Sequence, residues 1–209
     1  GKGADHPEQQ VSSHFLKVFY AGTPYERPVL GTVSTISHLK RERVWDYYKT
    51  WYVPNNMTLM VIGDFSTQEM VGLVKEKYGK YPAGTIPEHK TITLPTPQRV
   101  RIIKANATGK FPNDRQYLNM GYLLPPPVSD DFQSLVLLSE FLGGRENSVL
   151  KTLFTQEQNK DLVIDIGTSV DFNSNFSTLQ ISAELPINAD AEHVVELITQ
   201  AVRDMKKNP

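Results

Sequence analysis

The 209 residues contain no cysteine, which excludes a disulfide framework and thiolate chemistry. That absence suits a cytosolic protein and a periplasmic one alike. It leaves the compartment open, with the bacterial periplasm or cell envelope preferred. No run of about 18 apolar residues exists, so no membrane span is expected. The chain opens Gly1-Lys2-Gly3 without the apolar segment of a signal peptide, as expected of one that begins inside a longer protein. Excess basic charge is also missing: 22 Lys and Arg stand against 23 Asp and Glu, for a formal net charge of -1. Neutralising phosphates needs a concentrated basic surface, so nucleic acid is not an expected partner. Lys40-Arg41-Glu42-Arg43 is too short and mixed to change this and reads as a solvated helix start. What is present is ordinary: 39% hydrophobic and 22% charged residues, in a chain long enough for one large domain or two small ones.

Local patterns divide the chain. Pro7 suits a first helical position, and Val11, Phe15, Val18 and Phe19 carry a helix to about Tyr20, where Gly22 and Pro24 stop it. Pro24 to Leu30 reads as an extended or turn-rich loop. Ser37 is a candidate N-cap for a second helix burying Val44, Trp45, Tyr48 and Trp51. Pro54 then biases Val53 away from helical dihedrals, Asn55-Asn56 turn the chain, and Thr58 to Ile62 predict a strand covered on both faces. Ser66 caps a third helix whose inward stripe is Met70, Leu73, Val74 and Tyr78, and Gly79 ends it. Prolines 82, 87, 95 and 97 mark an extended linker over residues 81–97.

Beyond that linker, Val100 to Lys104 and Gln116 to Leu124 predict strands, the second broken by Pro125-Pro126-Pro127. Ser129 or Asp130 caps a helix burying Phe132, Leu135, Val136, Leu138 and Leu142, ended by Gly143-Gly144. Another helix is expected from about Asn147 to Gln156. Leu162, Ile164, Ile166, Val170 and Phe172 then alternate with polar residues, Asn173-Ser174-Asn175 turn, and Leu179, Ile181, Ala183 and Leu185 return as the second strand of an antiparallel hairpin. From about Asp190, Val194, Val195, Ile198, Ala201, Val202 and Met205 share one side of a last helix, opposite Glu192, Glu196, Arg203 and Lys207. Helices amphipathic on one side beside a sheet with one apolar face predict an α+β fold, an antiparallel or mixed sheet covered on one face by helices.

Collinear short motifs point to a family. Pro24-Tyr25-Glu26-Arg27-Pro28-Val29-Leu30-Gly31-Thr32, Tyr47-Tyr48, Tyr52-Val53-Pro54-Asn55-Asn56-Met57 and Val61-Ile62-Gly63-Asp64 resemble, in order and spacing, the insulinase/pitrilysin family of zinc metallopeptidases. Asp5-His6-Pro7-Glu8, Leu142-Gly143-Gly144 and Ser148-Val149-Leu150 resemble it too. The resemblance implies two-layer α/β units of the LuxS/processing-peptidase type. Residues 1–80 are then the C-terminal portion of a first, catalytic-type unit, and 98–209 are a second, non-catalytic unit, truncated.

Peptidases of this family carry H-x-x-E-H on a helix: two imidazoles four residues apart bind zinc, and the intervening Glu serves as base. His6, His14, His38 and His89 have no histidine at that spacing. His193-Val194-Val195-Glu196-Leu197 comes nearest, but Leu197 replaces the second histidine, and the stretch reads as the charged face of an amphipathic helix. The resemblance places the metal helix and the third-ligand glutamate before Gly1, and Glu8 is explained as a first-turn residue favoured by the helix dipole. In the second unit the corresponding helix, Phe132 to Leu142, offers Gln133, Ser134, Ser139 and Glu140 but no histidine. Where relatives carry Arg and Tyr after the Gly-Gly motif, this chain has Lys160-Asp161-Leu162-Val163. Catalytic residues and metal ligands are therefore expected to be none, zinc belongs to the parent protein, and the substrate-binding residues are unknown. The expected function is a non-catalytic portion of a zinc-dependent metalloendopeptidase acting on peptides, its partners being peptide substrate and other α/β units of the same chain or a homologous subunit. The alternative is an inactive structural or assembly subunit of a processing-peptidase-like complex.

Overall fold

A computed structural model describes residues 6–88, 90–92, 104 and 114–207. The expected strand at Val100–Lys104, apart from Lys104, lies outside them, as do His89, the end of the 81–97 linker and the Asp5 start. The chain forms two compact units, Gly1–Val29 together with Thr91–Pro209, and Leu30–Lys90.

The larger unit holds a three-stranded antiparallel sheet, β1 (Arg115–Leu124), β2 (Asp165–Phe172) and β3 (Ser177–Pro186), in the order β1-β3-β2. Helices α5 (Phe132–Ser139), α6 (Val149–Thr155) and α7 (Ala191–Lys207) accompany it, so the fold is α+β. Strand β3 alternates strictly: Leu179, Ile181, Ala183 and Leu185 join Leu142, Leu150, Phe154, Ile166, Val194 and Ile198 in one core. The Asp190 carboxylate accepts from the backbone N–H groups of Glu192 (3.0 Å) and His193 (3.2 Å), satisfying first-turn donors of α7. The hairpin closes on Ser174-Asn175, with Asn173 N–H donating to the Phe176 carbonyl at 3.0 Å.

Two expectations fail here for local reasons. Ile164 is not an inward strand residue: it is 50% exposed. Its N–H donates to the Glu184 carbonyl (2.8 Å), while Asp165 is also paired with Glu184. Two residues facing one make a β-bulge, which shifts the alternation before β2. Leu138 is exposed rather than buried, and after Ser139 the helix loosens into a π turn over Glu140–Gly144. The extra residue in that turn rotates the later side chains, so Leu142 and Gly143 are buried there, after the buried Ser139.

Helix α1 (Pro7–Phe19) starts at Pro7 and ends at Tyr20, followed by Gly22 at φ 79°. It lies against β1 at Gly121, where a Cβ would come within 2.6 Å of Phe15 and 2.7 Å of Phe19. Only glycine permits that approach. Tyr20 and Phe176 are buried together with Tyr25 beside them.

In the smaller unit, a short helix α2 (Val33–Ser37) precedes α3 (Arg41–Trp51) and α4 (Thr67–Tyr78). Ser37 closes α2 instead of capping the next helix, since Thr32 and Thr35 form a reciprocal capping box one turn earlier. Pro54–Asn56 form a tight 3-10 turn, as the corner predicts. The Asn55 amide accepts from Gly84 N–H (2.8 Å) and donates to Gly84 C=O (3.0 Å), tying the chain after α4 to that corner.

The expected buried strand at Thr58–Ile62 does not form. Met57 is extended (φ -124°, ψ 144°), but among the described residues no strand pairs with 57–62, and Ile62 is 88% exposed. A strand needs a ladder partner for its main-chain groups and cannot be made by its own propensity. Val44, Trp45, Tyr48 and Leu73, expected inward, are likewise exposed. The hydrophobic stripes of α3 and α4 are real, but nothing described within Leu30–Lys90 is large enough to cover them.

Candidate functional site

Among the described residues the histidines do not converge. His193 Nδ1 lies 3.9 Å from Glu196 Oε2 on α7, both side chains largely exposed, and Leu197 stands where a further imidazole would be needed. His38 Nδ1 is 2.8 Å from the Ser34 carbonyl oxygen. Glu8 sits in the first turn of α1. Among the described residues no group of three or more His, Cys, Asp or Glu could hold a metal ion. Zinc, implied for the parent by family resemblance, does not fit the described residues.

The helix that would correspond to a metal helix is occupied with packing. Ser139 Oγ is 3.3 Å from Thr168 Oγ1, which donates to the Ser139 carbonyl at 2.7 Å. Glu140 pairs with Arg145 at 3.5 Å. A Cβ on Gly143 would come within 2.6 Å of Thr168 Cγ2, so this glycine lets the π turn press against β2. Thr168 carried no recognisable signal in the sequence; only the pairing of the π turn with the strand reveals its part. Lys160 pairs with Glu157 (2.8 Å), and Leu162 and Val163 precede the bulge instead of presenting a strand.

The remaining feature with binding capacity is the sheet face opposite the core. Alternation puts Tyr117, Asn119, Gln180, Ser182, Glu184, Asp165, Ser169 and Asp171 on it. Arg115 binds Glu184, and the Gln180 amide donates to Asp171. The first contact raises the Arg115 pKa, through its hydrogen bond to Glu184 and then that carboxylate's charge. Burial pushes the Tyr117 phenol up, with Glu184 adding to the effect. At one end α1 lies over this face: the Tyr20 hydroxyl donates to Thr178 Oγ1 at 2.9 Å, and burial raises the Tyr20 pKa. No nucleophile is paired with a base among these groups. The face offers carboxylates and amides, groups that accept and donate hydrogen bonds.

Comparison with known proteins agrees with the architecture. The family model described as the Peptidase M16 inactive domain matches residues 38–209. The Escherichia coli protein named "Probable zinc protease PqqL" is 28% identical over 131 residues, covering 63% of this chain and 13% of that protein. The Bacillus subtilis protein named "Uncharacterized zinc protease YmfH" is 28% identical over 176 residues, covering 82% of this chain and 40% of YmfH. The chain thus spans well under half the length of these relatives. A Helicobacter pylori protease of known structure superimposes with a TM-score of 0.82 at 20% identity, over 98% of this chain and 49% of that one. The crystal structure of PqqL, described as a periplasmic protease, gives a TM-score of 0.61 over 86% of this chain and 20% of its own.

Proposed function

Because the chain belongs to the M16 peptidase family, whose inactive domain it matches over residues 38–209, we propose that it is a non-catalytic part of a zinc-dependent metalloendopeptidase. In that role it helps form the wall of the chamber that holds peptide substrates. The observation that carries this reading is that match; among the described residues no group of His, Cys, Asp or Glu could hold a metal ion. Zinc and the hydrolytic step belong, in this reading, to other parts of the parent protein.

The same proposal assigns residues 1–80 to the C-terminal portion of a first α/β unit, 81–97 to a linker and 98–209 to the second unit. The exposed apolar side chains of Val44, Trp45, Leu59 and Ile62 support it. They have the character of a surface covered by further sheet and helix in the parent or in a homologous subunit. A periplasmic or cell-envelope location belongs to the proposal as well, supported by the periplasmic description of PqqL. Among the described residues no helix is long and apolar enough to cross a membrane.

The test is hydrolysis of fluorogenic peptides by the parent protein with and without a chelator. Activity is expected to disappear on chelation and to return with zinc, while the 209-residue chain alone cleaves nothing. Tight one-to-one zinc binding by this chain would overturn the reading.

A further inference from the structure

Pro54–Asn56 turn the chain after α3, and each asparagine of that turn has its own task. Asn56 Nδ2 donates to the Trp51 carbonyl at 2.9 Å, satisfying one of the acceptors left open at the end of α3. Asn55 reaches across 29 positions to Gly84 and takes both of its main-chain groups, accepting from the N–H at 2.8 Å and donating to the carbonyl at 3.0 Å. A carboxamide carries a donor and an acceptor side by side, as a peptide group does. One side chain thus serves Gly84 as a neighbouring strand would.

Sterics make the fit specific. Among the described residues only Gly22 and Gly31 have positive φ, so Gly84 is needed for space and not for dihedral freedom. A Cβ there would come within 2.5 Å of Val53 Cγ1 and 2.9 Å of Val53 Cβ. Val53 is extended (φ -118°, ψ 148°) ahead of Pro54, so it cannot withdraw without opening the turn. The approach to Gly84 is held as well, with Tyr81 N–H donating to the Tyr78 carbonyl at the end of α4 at 3.1 Å. Among the described residues nothing comparable holds Thr85 or Ile86.

We propose that Asn55 is a clamp that fixes where the linker leaves the first α/β unit, so that this unit ends at Gly84 and the tether begins at Thr85 instead of Tyr81. This deepens the assignment of two units joined by a linker and rests on it. Because the clamp stands on the corner that ends α3, the direction in which the linker departs is set by a helix and is not left to its prolines.

The experiment is backbone NMR relaxation and amide exchange on the isotope-labelled 209-residue chain. Order parameters of about 0.85, the rigid range, are expected at Ala83 and Gly84, falling below about 0.6 from Thr85. Two hydrogen bonds of ordinary net strength make opening about tenfold rarer, so Gly84 N–H should exchange about that much more slowly than Ala83 N–H once intrinsic rates are allowed for. In Asn55→Ala the fall in order should move back to Tyr81, and the protection of Gly84 should vanish. Asn55→Asp keeps the acceptor, loses the donor and should lie between. Gly84→Ala should behave like Asn55→Ala, and adding Val53→Ala, which removes the 2.5 Å contact, should restore part of the order. Mobile Ala83 and Gly84 in the unaltered chain would overturn the proposal, as would order that continues unbroken through Glu88, or order that still runs to Gly84 in Asn55→Ala. So would loss of protection at Leu73 and Val74 of α4 together with Gly84, since the asparagine would then be holding up the whole unit. None of these failures touches the chelation test of the parent enzyme, which can fail while Gly84 stays clamped.

Discussion

Tyr20 and Tyr122 carry their phenols into partly buried surroundings, and each pKa is raised above the ordinary 10.0, first by loss of water and only partly offset by hydrogen bonds to Thr178 and Thr199. A group whose folded pKa exceeds its unfolded one holds its proton longer in the native state. The associated stability is fully present below pH 10 and is lost as pH rises through the folded pKa values. Urea unfolding between pH 8 and pH 11.5 should therefore show a midpoint that is flat up to about 10, the unperturbed tyrosine range, and then falls. In the Tyr20→Phe, Tyr122→Phe double variant the alkaline fall should be shallower. That variant should also start from lower stability at neutral pH, because Thr178 is fully buried and loses its donor. A lost buried hydrogen bond costs about 1–3 kcal/mol.

The π turn and strand β2 are coupled through a single position. An alanine at Gly143 would put its Cβ against Thr168, 2.6 Å from Cγ2 and 3.2 Å from the backbone nitrogen, and strand backbone cannot step aside cheaply. An alanine at Gly144 would meet only the Glu140 carboxylate, the movable end of a long side chain, at 3.0 Å. Gly143→Ala is expected to cost about 1–3 kcal/mol, the usual range for overpacking. Gly144→Ala should cost far less, so two adjacent, chemically identical changes separate in a denaturant titration. Equal losses at the two positions would mean that the π turn does not press on the strand. The elements that could be read from residue order alone are those whose period is local. Leu179 to Leu185 alternate and form β3, and Val194 to Met205 repeat at helical spacing and form α7. The π turn was not legible, because Leu138 and Leu142 fit an ideal helix equally well until packing decides which turns inward. The bulge at Ile164–Asp165 was hidden for the same reason, since nothing in Val-Ile-Asp announces that two residues will share Glu184. At the candidate site, the absence of a histidine pair could be counted directly in the sequence. The sheet face carrying Tyr117, Gln180, Glu184 and Asp171 could not, because pairing across three strands decides which side chains share it.

At the scale of the molecule, the two units differ in how much of their hydrophobic surface they can hide. The larger one closes a core around Ile181, Leu185 and Ile198, all fully buried. Leu30–Lys90 has the amphipathic helices of a domain layer, and among its described residues there is no sheet for them to cover. Thr58–Ile62, expected as a strand covered on both faces, is exposed and pairs with no strand among the described residues. Both tryptophans of the chain, Trp45 and Trp51, fall in this unit, and Trp45 is 55% exposed and stacked on Tyr48. Tryptophan emission therefore reports on this unit alone. For the 209-residue chain the spectrum should be red-shifted, easily quenched by iodide, and lost at lower urea than the far-ultraviolet dichroism, which is dominated by the larger unit. Under the proposal that residues 1–80 close a first α/β unit, a longer protein carrying the rest of that unit should show bluer emission, lower iodide access and merged unfolding curves. The gain follows from covering Trp45, Leu59 and Ile62, each worth about 1.5–3 kcal/mol when a side chain of this size is fully buried. Unchanged emission in the longer protein would mean that this face remains open there, and its covering would then have to come from a separate subunit.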